Sequence, residues 1–192
     1  HIAVNCAGLP VMSTIADSTE DQLQSALRVN YLGNVYFIKH VAAAMQDGGS
    51  IVVISSLSTT HTMLPHFAYA CAKSATDCLV RYAAVEYGPR NIRVNSILAG
   101  TIVSDLSREL FASPQVTQVF ENEVPLRRLG YPKDFANAVL WLAGPAFVTG
   151  LNLPVSGGNQ LTRFPTIAEV MGTGQSWEGK GQTLFERGNT QT

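Results

Sequence analysis

A short run of β-branched and apolar residues constrains the fold of this chain more than any other feature. Residues 50–55, Ser-Ile-Val-Val-Ile-Ser, are apolar at consecutive rather than alternate positions. Because successive side chains of a strand point to opposite faces, this pattern predicts a strand that is covered on both faces. Strands of that kind are typical of parallel sheets flanked by helices, and we therefore expect an α/β fold.

Apolar runs and helical periods alternate along the chain, as in repeated units of strand, crossover helix and parallel strand. The predicted helices cover residues 18 to about 45, where residues 18–21 offer a capping box, about 69 to 87, and 132 to 143. The other predicted strands cover residues 2–4, 92–98 and 151–155. Pro154 has no N–H to donate to a ladder, so we expect the last strand at an edge of the sheet.

Composition favours one globular domain and excludes two classes of partner. Of the 192 residues, 46% are hydrophobic and only 14% are charged, which indicates large buried faces. The formal net charge is −1, so neither nucleic acid nor a membrane surface is an expected partner. The uncharged stretch that most resembles a membrane span, residues 138–155, is broken by glycines and prolines and predicts a helix, a turn and a strand instead.

The cysteines indicate a reducing compartment. The chain has three cysteines, an odd number, and no Cys-x-x-Cys pair, so a disulfide framework is not expected. We therefore expect a cytoplasmic location. Cys71 and Cys78 are seven residues apart on one helical face, and we expect them to be core thiols.

Chemistry is predicted where strands meet loops, since ligands of open parallel sheets bind beyond the carboxyl ends of the strands. Ser56 ends the predicted strand at residues 50–55, and Tyr69 follows thirteen residues later with Lys73 one helical turn beyond it. A cation held near a phenol favours the phenolate, so we expect Lys73 to lower the pKa of Tyr69. Together with the Ser56 hydroxyl, these groups suit acid–base chemistry on a carbonyl or an alcohol.

Plainer interpretations stay open for the same residues. A Tyr-x-x-x-Lys pair is common on helices and is often structural, and Asn30, within a predicted helix, is often only a solvated or capped residue. His61 and His66 flank Met63 and are an alternative pair of metal ligands, but no carboxylate stands at ligand spacing. We expect these histidines to belong to the wall of a pocket.

Several motifs, taken in order, resemble those of the short-chain dehydrogenase/reductase family. The resemblance covers residues 1 to about 163 and has three parts. Asn5-Cys6-Ala7-Gly8 resembles the family's Asn-Asn-Ala-Gly motif, and Asn30, Ser56, Tyr69 and Lys73 resemble its catalytic tetrad. Residues 99–104 and 149–158 resemble its nicotinamide-side loop and its closing motif. The resemblance implies a doubly wound, Rossmann-type parallel sheet that here lacks its first three strands.

The resemblance also implies roles for individual residues. Tyr69 would exchange a proton with the substrate oxygen, Ser56 would polarise that oxygen, and Asn30 would position a water that links Lys73 to solvent. Lys73 would also hold the nicotinamide ribose. The residues implied in binding NAD or NADP are Asn5, Ala7, Gly8, Tyr69, Lys73, Gly100, Ile102 and Ser104.

The chain departs from the family pattern mainly at its start, which resembles the family's fourth strand. It contains no G-x-G-x-x-G turn and no residue that selects between NAD and NADP. We expect residues 1–163 to be the C-terminal part of a Rossmann domain and residues 164–192 to be an extended tail, in which Phe164, Trp177, Leu184 and Phe185 are candidate anchors. The alternative is a non-catalytic remnant or interaction module that keeps the tetrad by descent.

The loops near the tetrad predict an apolar substrate pocket. Its expected residues suit a hydrophobic ketone or secondary alcohol; they are Leu57, Met63, Leu64, His66, Phe67, Leu106 and Phe111. The resemblance further implies a homotetramer or homodimer that assembles through the two long helices.

Overall fold

The structure, a computed structural model, describes residues 1–144 and 147–172. Within these residues the core is one parallel sheet whose order follows the sequence. Its strands are β1 (Ile2–Asn5), β2 (Gly49–Ser56), β3 (Ile92–Ala99) and β4 (Asn152–Val155). The α/β class and the four predicted strands are therefore confirmed.

Six α-helices lie in the described part of the chain. They are α1 (Glu20–Leu27), α2 (Gly33–Ala44), α3 (Phe67–Tyr87), α4 (Pro114–Asn122), α5 (Pro132–Ala143) and α6 (Ile167–Val170). None of the helices in residues 1–144 and 147–172 is long and apolar enough to cross a membrane.

Strand β2 is covered on both faces, as its unbroken apolar run predicted. Ile51 and Val53 pack with Ile38 of α2 and Val80 of α3 on one side of the sheet. Val52 packs on the other side with Leu142 and Phe135 of α5. Alternate side chains of one strand thus pack against helices on opposite faces of the sheet. This is the doubly wound arrangement.

The helix predicted from residue 18 to about residue 45 is interrupted. Thr19 caps α1 in a capping box with Gln22, so the predicted start is confirmed. Between α1 and α2, residues Arg28–Leu32 form a turn of π-helix. Such turns occur frequently at functional sites, and this one contains Asn30.

The predicted core thiols are on the surface. Cys71 and Cys78 do share one face of α3, but both are exposed. The face of α3 that packs inward carries Ala72, Thr76 and Val80 instead. A spacing of seven residues fixes a common face without fixing which face is buried, and this is why the prediction was wrong.

The edge position predicted for the last strand is confirmed, and β1 forms the other edge of the four-stranded sheet. Strand β4 pairs only with β3, and Pro154 stands opposite Leu98 at that edge. Strand β1 pairs only with β2, and its Ile2 side chain is 62% exposed. An apolar side chain so exposed on an edge strand is a site where another strand can add.

The segment after residue 163 begins with a buried residue. Phe164 packs with Leu57, Phe120 and Leu129, and the short helix α6 follows it, with Thr166 as its cap. The other proposed anchors, Trp177, Leu184 and Phe185, lie outside the described residues. The division of the chain at residue 163 stays a prediction.

Arg93 ties β3 to the end of α5. Its guanidinium donates hydrogen bonds to four backbone carbonyls, those of Leu142, Ala143, Gly144 and Val148, at distances between 2.6 and 3.3 Å. The last carbonyls of a helix have no partner within the helix, so this cation satisfies them and complements the helix dipole.

We expect Arg93→Met to lower the free energy of unfolding by about 2–4 kcal/mol, because it leaves these carbonyls without a charged donor. Urea denaturation of the whole gene product measures this. Arg108→Met is the control, since Arg108 pairs with Asp105 on the surface and such pairs contribute less than about 1 kcal/mol. Equal losses in the two variants would contradict the role of Arg93.

Candidate active site

Ser56 and Tyr69 come together at the carboxyl end of β2. Ser56 is the last residue of that strand, and the following turn leads into α3, which carries Tyr69 in its first turn. The Ser56 hydroxyl lies close enough to the Tyr69 phenol to act on its pKa. The Ser56 hydroxyl also lies 2.9 Å from the Ser58 hydroxyl. The thirteen-residue spacing in the sequence therefore becomes a close approach.

Lys73 is buried one helical turn beyond Tyr69. It is 2% exposed, and its Nζ donates a 2.7 Å hydrogen bond to the backbone carbonyl of Ile54 in β2. Nζ is also 5.7 Å from the centre of the Tyr69 ring. Burial lowers the pKa of Lys73 to about 8, and the charge of Asp77 opposes this shift.

The pKa of Tyr69 moves in the direction opposite to the one predicted. Burial raises it, and only the Ser56 hydroxyl acts to lower it. The expectation that Lys73 lowers the pKa of Tyr69 was wrong for this structure, because removing the phenol from water penalises the phenolate. The charged form of Lys73 is itself penalised by the same burial.

The π-helical turn places Asn30 against the loop that follows β1. The Asn30 side chain accepts a hydrogen bond from the Leu9 amide (3.0 Å) and donates one to the Leu9 carbonyl (2.9 Å). A Cβ built on Gly8 would lie 3.4 Å from both Asn30 Oδ1 and Lys73 Nζ. Asn30, Lys73 and the glycine of this loop therefore face one small space.

Two polar residues that sequence reasoning missed hold Asn30 in place. Thr76 Oγ1 donates to the Asn30 carbonyl at 2.6 Å, and Asn34 Nδ2 donates to the same carbonyl at 2.9 Å. Asn5 Nδ2 in turn donates to Asn34 Oδ1 at 2.8 Å. The spacing of four between Asn30 and Asn34 was a signal for this pair, whereas nothing in the sequence brings Thr76 to Asn30.

Asp77 is a third residue that sequence reasoning missed. It lies one helical turn after Lys73 and is 7% exposed, and Ser96 Oγ of β3 lies 3.4 Å from its Oδ1. Burial raises the pKa of Asp77, while the hydroxyls of Ser55 and Ser96, on the neighbouring strands β2 and β3, act to lower it. A buried carboxylate and a buried ammonium thus lie on consecutive turns of α3.

Two of the predicted cofactor-side residues, Gly100 and Ile102, follow the end of β3. Ser56 pairs with Ala99 across the ladder, so Gly100 directly follows the neighbouring strand end. A Cβ on Gly100 would lie 2.6 Å from Ser156 Cβ, so only glycine allows this close approach. Ile102 forms a bridge with Gly130.

The remaining cofactor-side residues are held by local hydrogen bonds. In the loop after β1, the Ala7 amide donates to Asn5 Oδ1 at 3.1 Å. In the loop after β3, the Ser104 amide donates to Ser107 Oγ at 3.0 Å. Their contacts with a cofactor stay predictions.

Comparison with known proteins gives the family. Residues 1–160 match the family described as enoyl-(acyl carrier protein) reductase. The 3beta-hydroxysteroid dehydrogenase 1 of Eggerthella lenta is 34% identical over 169 residues, which cover 85% of this chain and 64% of that protein. The chain belongs to the short-chain dehydrogenase/reductase family. It spans less than two thirds of the length of this relative.

Solved structures of short-chain dehydrogenases/reductases agree with the fold. One from Mycobacterium ulcerans is 34% identical and superimposes with a TM-score of 0.84, covering 90% of this chain and 65% of that one. A 7alpha-hydroxysteroid dehydrogenase complexed with NADH and 7-oxo glycochenodeoxycholic acid is 35% identical with a TM-score of 0.76, covering 82% and 62% of the two chains.

The residues predicted for the substrate pocket of this short-chain dehydrogenase/reductase divide between two clusters. Met63 and Phe111 pack in the cluster of the fully buried Leu57, whereas Phe67 packs in a separate cluster with Val11. Leu106 is 71% exposed, and Leu64 is also exposed. Their assignment to one pocket stays a prediction.

The histidines of the same region have different surroundings. His61 Nδ1 is 2.9 Å from Thr60 Oγ1, while the His66 ring meets the Tyr69 ring edge-on, with 6.4 Å between the ring centres. Within residues 1–144 and 147–172, no group of three histidine, cysteine, aspartate or glutamate side chains is arranged to hold a metal ion.

The lowered pKa of Lys73 predicts a pH-dependent cost in stability. The folded protein releases the Lys73 proton near pH 8, whereas the ordinary value is 10.5. The buried ammonium therefore destabilises the fold at low pH, and this cost falls as the pH rises through 8 toward 10.5. We expect Lys73→Met to stabilise the protein by about 2 kcal/mol more at about pH 7 than at about pH 9.5.

Urea denaturation at the two pH values measures this difference. Lys39→Met, at an exposed position of α2, is the control for removal of a lysine. If Lys73→Met changes the free energy of unfolding by the same amount at both pH values, burial does not penalise this ammonium.

Proposed function

We propose that the protein is an NAD(P)-dependent oxidoreductase that interconverts a secondary alcohol and a ketone. The observation that carries this proposal is the convergence of Ser56, Tyr69 and Lys73 at the carboxyl end of β2, with Asn30 and Gly8 facing the same space. Ligands of open parallel sheets bind at this position. The family membership supports the same chemistry.

Tyr69 is the proposed proton donor and acceptor. Its raised pKa keeps the phenol protonated at neutral pH, so in ketone reduction it gives its proton to the substrate oxygen. Ser56 polarises that oxygen through its hydroxyl, which already lies close to the Tyr69 phenol. In alcohol oxidation the proton moves in the opposite direction, from the substrate hydroxyl to the Tyr69 oxygen.

Lys73 and Gly8 are the residues that fit a cofactor. The missing side chain of Gly8 leaves space against Lys73 Nζ and Asn30 Oδ1, and the Lys73 ammonium is a donor for ribose hydroxyls. Bound NAD or NADP supplies the hydride chemistry. Gly100, Ile102 and Ser104 complete the proposed cofactor side from the loop after β3.

The proposed substrate is a hydrophobic small molecule. Leu57, Met63 and Phe111 supply an apolar wall near Ser56, and similar proteins are hydroxysteroid dehydrogenases. Hydroxysteroids are therefore suitable first substrates, with NAD and NADP tested in parallel.

We expect Tyr69→Phe to reduce kcat by about a hundredfold or more, because it removes the proton donor, with little change in cofactor affinity. Steady-state kinetics and isothermal titration of the whole gene product measure both quantities. Tyr82→Phe, at an exposed position of the same helix, is the matched control. Near-normal turnover of Tyr69→Phe would overturn the assignment, and a wild-type protein that binds neither cofactor would favour a non-catalytic role.

We further propose that a second copy of this chain packs on α2 and α3. The outward face of α3 carries Cys71, Cys78, Tyr82 and Val85 at helical spacing, and Val85 is 79% exposed. Exposed apolar side chains at helical spacing favour association. The three exposed, unpaired thiols of the chain agree with the proposed cytoplasmic location.

We expect Val85→Asp to shift the protein toward the monomer, because it places a charge in the proposed interface. Light scattering after size-exclusion chromatography measures the mass. Ile15→Asp is the control, since Ile15 is 77% exposed but lies in the loop after β1. Unchanged mass for Val85→Asp would remove this face from the assembly.

A further inference from the structure

A short β-bridge joins the loop after β1 to the turn that precedes α3. Ser13 and His66 are the paired residues, and the Ser13 amide donates a 2.8 Å hydrogen bond to the Pro65 carbonyl. Paired residues of a parallel bridge present their side chains on the same side. The Ser13 and His66 side chains therefore lie on the same side of this bridge.

Both side chains contain a buried polar atom with no hydrogen-bond partner. These atoms are Ser13 Oγ and His66 Nδ1, and in the described part of the chain only two other side-chain atoms share this condition. Buried polar groups in native proteins are almost always paired, so each exception requires an explanation. Two unpaired polar atoms on one side of one bridge indicate that both atoms bind the same partner.

This pair of atoms lies next to the proposed proton donor. His66 immediately precedes α3, and its ring meets the Tyr69 ring edge-on at 6.4 Å. Burial lowers the pKa of His66, although the backbone of Leu64 acts against this shift. The ring is thus neutral at pH 7, and Nδ1 donates or accepts according to its tautomer.

We propose that Ser13 and His66 form a polar subsite that binds a second oxygen atom of the substrate. This inference rests on the proposed function and narrows its substrate class to ketones or alcohols that carry another hydroxyl or oxo group a few bonds from the reacting carbon. The subsite takes an uncharged group, because a serine hydroxyl and a neutral imidazole provide hydrogen bonds without charge. The surrounding wall, including Phe67 and Val11, binds apolar parts of the molecule.

Cyclohexanone and its 2-, 3- and 4-hydroxy derivatives test the subsite, since the added hydroxyl samples three distances from the carbonyl. We expect the whole gene product to prefer at least one hydroxyketone by about tenfold or more in kcat/KM, because a site built to hydrogen-bond a hydroxyl rejects the analogue without it. Ser13→Ala and His66→Phe are expected to remove this preference while activity on cyclohexanone remains. His40→Phe, at an exposed position of α2, is the matched control.

A nitrogen-15 NMR measurement of the His66 ring gives a readout independent of turnover. We expect the Nδ1 resonance to shift when the preferred hydroxyketone binds and to stay in place with cyclohexanone. A shift without any turnover would support the subsite and overturn the proposed function.

Other outcomes would overturn the subsite. One is turnover of all four ketones with no preference and no shift, which would leave the proposed function intact. The other is that Ser13→Ala shifts the His66 Nδ1 resonance of the ligand-free protein but leaves the substrate preference unchanged. This result would show that the two side chains only bind each other.

Discussion

The hydrogen bond from Lys73 Nζ to the Ile54 carbonyl is the interaction on which the candidate site depends. It joins the first turns of α3 to the sheet just before β2 ends, and so it sets the distance between the helix that carries Tyr69 and the strand that carries Ser56. The bond is possible only because Lys73 is buried, and burial of an ammonium is costly. The protein keeps this cation at the position where a strand end, a helix start and a glycine loop meet.

A connected set of polar contacts surrounds this cation. Asn30 is held by Leu9, Thr76 and Asn34, so the π-helical turn, the loop after β1 and the middle of α3 are linked. Nearly all groups of this set are hydrogen-bonded, which is the condition under which a buried polar network fixes one geometry. The Asn30 carbonyl already has two protein donors, so a water that this residue positions would have to use another of its atoms or displace one of them.

The loop after β1 serves two purposes in this arrangement. Its first part, with Gly8 and Leu9, lies against Asn30 and Lys73, and its later part, with Ser13, pairs with the turn before α3. Because one loop contacts both the proposed cofactor side and the proposed substrate side, a change in its conformation would affect both. In a fold of this kind, the loops carry the catalytic and binding residues and the rigid sheet holds the loops in position.

The sequence by itself determined the α/β class, the buried strand β2, the edge position of Pro154 and the approach of Tyr69 and Lys73 to Ser56. These follow from local rules: the period of apolar residues, the missing N–H of proline, and the meeting of strand ends in a parallel sheet. The tertiary structure alone decided that Cys71 and Cys78 face outward, that Thr76 binds the Asn30 carbonyl, that Ser13 pairs with His66 and that the pKa of Tyr69 rises. Each of these depends on which distant segment covers a given face, and on how much water that segment removes, and neither quantity is encoded in the spacing of nearby residues.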